Sequence, residues 1–81
     1  MSAPRPQLHP DRLIQAAEAA LASVQEVAEL TGGPWPYPPD LMGSPVQPDR
    51  LADFTKWEIE QASDFLVRMG MIASPPTRHA A

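Results

Sequence analysis

Few side chains in this sequence could move a proton, hold a metal or attack a substrate. Cysteine is absent, and the two histidines, His9 and His79, lie near opposite ends of the chain. Thiol chemistry and a histidine-based metal site therefore lack ligands at usable spacing. No glycine-rich phosphate loop, nucleophile elbow or His-Glu-x-x-His helix is present. Glu18, Glu26 and Glu29 fall along the polar side of one helical stretch and read as a solvated surface. Glu58 is different. In a helix running unbroken from residue 48 to 69 it would project among Leu51, Phe54, Ala62, Phe65, Leu66, Met69 and Ile72, where burial would raise its pKa towards that of a general acid. The competing reading makes it a cap. Thr55-Lys56-Trp57-Glu58 has the Ser/Thr-x-x-Glu form of a capping box, with Phe54 and Ile59 placed as a hydrophobic staple. The cap is the expected role. A chain of 81 residues can hardly wall a pocket, so no catalytic residue, metal, cofactor or independent enzymatic activity is expected.

Two elements must carry whatever these residues do. From Leu13 the apolar residues step through Ala17, Ala20, Val24 and Val27, with Ile14, Leu21 and Ala28 along one edge, which predicts an amphipathic helix over residues 10–31. Thr31-Gly32-Gly33-Pro34 supplies its stop. A second helical interval covers residues 48–69, with Gly70 placed for a left-handed cap and a break expected near Thr55 if Glu58 serves as the cap there. Leu8-His9-Pro10-Asp11-Arg12-Leu13 and Val46-Gln47-Pro48-Asp49-Arg50-Leu51 share one start signal: proline at the first helical position, aspartate at the positive end of the helix dipole, and a staple. A shared signal accounts for the match without an internal duplication.

The connector, residues 32–47, carries five of the eleven prolines and is expected to follow an extended path. Trp35 and Tyr37 within it are either anchors for a partner or rings folded back over the core; the scarcity of aromatics favours the second. Met42, Met69 and Met71 are expected as core filler. The fold class that follows is all-α: an antiparallel helical hairpin with a long proline-rich connector, completed by dimerisation, flanked by disordered tails at residues 1–7 and 73–81.

Net charge is −4 with a sequence pI near 4.9. That balance disfavours nucleic-acid phosphates and anionic membranes, and no apolar run is long enough for a membrane span or a signal peptide, so a cytoplasmic protein is expected. The expected function is protein binding by a small adaptor, inhibitor or accessory subunit, homodimeric and acting through a helical face. Candidate contact residues are Trp57, Trp35, Tyr37, Arg50, Arg68 and Met71. Residues 59–72, closing in Leu66-Val67-Arg68-Met69-Gly70-Met71-Ile72, resemble the last helix of small helix-turn-helix regulators, where such a run precedes a strand. The resemblance implies a DNA-binding regulator that uses the second helix. Against it, Asp49, Asp53, Glu60 and Asp64 outnumber Arg50, Lys56 and Arg68 on that interval.

Overall fold

The computed structural model describes residues 8–73, so the tails expected to be disordered lie outside the described residues, Ala73 excepted. Helix α1 spans Pro10–Thr31. Its start follows from the local sequence. His9 is the N-cap and its Nδ1 accepts the Asp11 N–H at 3.1 Å, while Pro10 fills a position whose N–H would have no helical partner. At the other end Gly32 takes φ 69°, and its N–H reaches the Ala28 carbonyl at 2.8 Å.

The connector is more ordered than a polyproline path. Its middle forms a single helical turn, α2, at Pro38–Leu41, in which Pro38, Pro39 and Leu41 are buried. These three residues, not the aromatic rings, close the core on this side. Trp35 remains 49% exposed, which corrects the expectation that it lids the core, and Tyr37 is half-buried.

The second interval is broken. A 3-10 helix at Asp49–Asp53 gives way to extended backbone at Phe54 and Thr55, and helix α3 begins anew at Lys56–Arg68. Thr55 Oγ1 accepts the Glu58 N–H at 3.1 Å and Glu58 Oε1 accepts the Thr55 N–H at 2.9 Å, completing the capping box. α3 ends in a Schellman turn. Gly70, at φ 75°, donates to the Val67 carbonyl, and the Met71 N–H reaches back to Leu66 at 2.9 Å. The chain thus folds back after Gly70 where the helix-turn-helix resemblance implied a strand. Among the described residues there is no strand, and no helix is long and apolar enough to cross a membrane.

α1 packs against α3, the 3-10 helix and α2, and α2 packs against α3. The core gathers Ala16, Ala17, Ala20, Val24 and Val27 from α1, Leu41 from α2, Leu51, and Ile59, Ala62 and Leu66 from α3. Three short elements cover α1 along one side, so its buried band is turned towards Ala16 and Ser23. Ile14, expected at the apolar edge, is 47% exposed. Met42 packs on the core, but Met69 and Met71 are exposed at 61% and 48% and are not core filler.

Among the described residues two serines are fully buried, Ser23 on α1 and Ser63 on α3. The Ser63 hydroxyl donates to the Ile59 carbonyl at 2.6 Å; that of Ser23 has no partner. An unsatisfied buried hydroxyl is a net cost, so Ser23→Ala should stabilise the protein by about 1 kcal/mol, read as a higher urea midpoint at an unchanged slope. Ser63→Ala gives up a bond that is made, and should gain nothing comparable.

Candidate functional site

The contact between α1 and α3 is locked at the starts of both helices. Arg12, in the first turn of α1, places Nε 2.9 Å from Glu58 Oε2 and Nη2 3.2 Å from Oε1, in the forked geometry that suits a guanidinium facing a carboxylate. The same Nη2 donates to the Asp53 carbonyl at 2.6 Å, and Cζ lies 4.2 Å from the centre of the Phe54 ring. One arginine thus touches Asp53, Phe54 and Glu58, on both sides of the kink between the 3-10 helix and α3. The Arg12 bond and the Thr55 N–H pull the Glu58 carboxyl down to about 2. At neutral pH it is fully ionised and has no proton to give, so the general-acid environment considered for an unbroken helix does not exist.

With the two starts fastened, the far part of α3 and the turn after it leave an open groove beside α1. Ile14, Ala17, Glu18 and Leu21 form one wall, Phe65, Leu66 and Met71 the other, around a volume of about 140 Å³. The Schellman turn explains Met71: the left-handed Gly70 sends the chain back over the last turn of α3, bringing Met71 to the same groove as Leu66. Glu18 is the sole charged residue among the lining residues and is exposed; the surface of the groove is hydrocarbon throughout, so Glu18 contributes its methylenes to the wall and its carboxylate belongs to the rim.

The residues singled out from sequence do not form one site. Met71 belongs to this groove. Trp57, 39% exposed, stands on the outer ridge of α3 with Glu60, Asp64 and Arg68 by helical spacing. Tyr37 approaches the same ridge: burial raises its phenol pKa, and Asp64, Glu60 and Asp40 add to the rise. Trp35 precedes Tyr37 in the connector and is half-exposed. Arg50 is drawn to α1, 3.1 Å from Glu26, and Arg68 pairs with Asp64 one turn back on α3. The groove residues Ile14, Leu21 and Phe65 were not identified as a surface from sequence. Their exposure depends on how far α3 is turned across α1, and those two helices are joined at their starts by Arg12 and Glu58, 46 residues apart.

No protein-family model matches the chain, and neither does any curated protein or solved structure, so its function must be read from this geometry.

Proposed function

We propose that this protein is a small helical interaction module, an adaptor, inhibitor or accessory subunit in the cytoplasm, that binds another polypeptide through the face shared by α1 and α3. The observation that carries the reading is the groove, in which Ile14, Leu21, Phe65 and Met71 line hydrocarbon left open to water. A helical hairpin with a bent second arm buries its apolar stripes only in part, and association completes it, either as a four-helix bundle with a second copy or with a different chain. Trp57 offers a second anchor on the ridge beside it. The charges favour protein over nucleic acid: among the described residues Arg12, Arg50 and Arg68 each pair with a carboxylate of this chain, which leaves Lys56 and no row of open cations to meet phosphates.

A photo-activated cross-linking residue at position 14 or 71, with position 25 on the polar side of α1 as control, tests the reading in cells. Protein adducts are expected from positions 14 and 71 and not from 25. Adducts to nucleic acid alone, or none at all, would refute it.

A further inference from the structure

We infer that the groove between α1 and α3 takes a basic amphipathic helix of another polypeptide; the inference rests on the reading of that face as a protein-binding one. Shape comes first. Ile14, Ala17 and Leu21 follow one another at i, i+3 and i+7 along α1, a span of roughly 10 Å at 1.5 Å per residue, which is two turns of a docked helix. Ala17 keeps the middle of that wall low, so a backbone can approach closely. Met71 on the opposite wall is an unbranched thioether that adapts to the side chains laid against it.

Charge then decides what kind of helix. Glu18 lines the groove with its methylenes and carries its carboxylate at the rim, held by no ion pair, and Asp11, two turns earlier on the same side of α1, is also exposed and enters no ion pair. No lining residue is a cation. Arg68, the cation nearest in sequence to Phe65 and Met71, is held by Asp64, and Lys56 stands at the first residue of α3, roughly 14 Å of helix rise from Phe65. A carboxylate on the incoming helix would therefore meet Glu18 with nothing to neutralise the pair, whereas a lysine or arginine would find an open acceptor. The same argument disfavours a second copy, since two chains of charge −4 would approach with a Glu18 at the rim of each groove and no cation among the residues that line it.

The test uses the whole chain and two fluorescent probe peptides of about fourteen residues. Both carry leucine at the i, i+3, i+4 and i+7 positions; one has lysine at every other place and its twin has glutamate. Fluorescence anisotropy should show the lysine peptide binding at least about tenfold more tightly than its twin, a difference of ~1.4 kcal/mol, and losing affinity as salt rises. Ile14→Ser combined with Met71→Ser should weaken it about tenfold. Glu18→Lys should weaken the lysine peptide and strengthen the glutamate peptide, while Glu29→Lys, an equal change of net charge at an exposed position outside the groove, should do neither. Carbodiimide should join the lysine peptide to Glu18, which checks the contact without any substitution. Equal binding of the two peptides, equal effects of the Glu18 and Glu29 changes, or cross-links only elsewhere would overturn the inference. So would a dimer in solution that Ile14→Ser and Met71→Ser convert to monomer. An acidic or uncharged partner segment captured in cells at positions 14 and 71 would defeat this inference and leave the protein-binding role standing; no protein adduct at those positions would defeat both.

Discussion

Val24→Asp is expected to abolish the cooperative thermal transition of the protein. Val24 is fully buried, in the core cluster shared with Ala20, Leu51, Ile59 and Ala62. A carboxylate there would lose its hydration and gain no partner, because Arg12 and Arg50 already face Glu58 and Glu26. The penalty for an unpaired buried charge is several kcal/mol. A core of this size contributes only about 3–5 kcal/mol of net stability, so the substitution exceeds what the fold has to lose. Val24→Ala provides the graded control: it removes methyl groups without adding charge and should cost about 2 kcal/mol while keeping a sharp transition. Circular dichroism followed against temperature reads both. An unchanged melting curve for Val24→Asp would mean that this side of α1 faces solvent, and the packing of α1 on α3 described above would be wrong.

The sequence revealed those parts of this fold that are written in neighbouring residues. α1 could be read to both ends, because proline at its first position, a left-handed glycine after its last, and a 3.6-residue repeat all act within a turn of one another. The break at Thr55 was legible for the same reason, since the capping box that makes it spans four residues. What depended on distant residues was not legible. The buried turn at Pro38–Leu41 exists because Leu41 finds the core, not because a proline-rich run prefers helix. Ser23 counts as polar in any hydropathy pattern, yet it lies wholly inside because the shorter elements close over that side of α1. The groove is the clearest case. Its two walls are 44 residues or more apart in sequence, from Leu21 to Phe65, and which apolar residues remain uncovered is set by the angle of α3. Met71 carries a local signal: glycine at the end of a helix, followed by an apolar residue, is the pattern of a turn that folds that residue back onto the helix.

Replacing Glu58 with glutamine should lower stability at neutral pH by about 1–2 kcal/mol, and the loss should fade in acid. Glutamine keeps an oxygen for the Thr55 N–H, so the cap survives and the change isolates the charge that faces Arg12. In the native protein the carboxyl of Glu58 is held near 2, against an ordinary value of 4.5. A folded-state value below the unfolded one means that ionisation favours the native state. The contribution is complete above about pH 4.5 and drains away as pH falls towards 2, below which both states are protonated. Comparing the two proteins at the same pH removes whatever contributions they share. Urea denaturation at pH 7 and near pH 2.5 should therefore show wild type well ahead of Glu58→Gln at the first and close to it at the second. Arg12→Met, made alone and with Glu58→Gln, closes a double-mutant cycle, and the single changes should together cost more than the pair. Equal stability of the two proteins at both pH values would show that Glu58 acts only as a cap. α3 would then be fixed on α1 by packing alone, and the groove beyond it would owe its width to Leu66 and Phe65, not to the arginine at the other end.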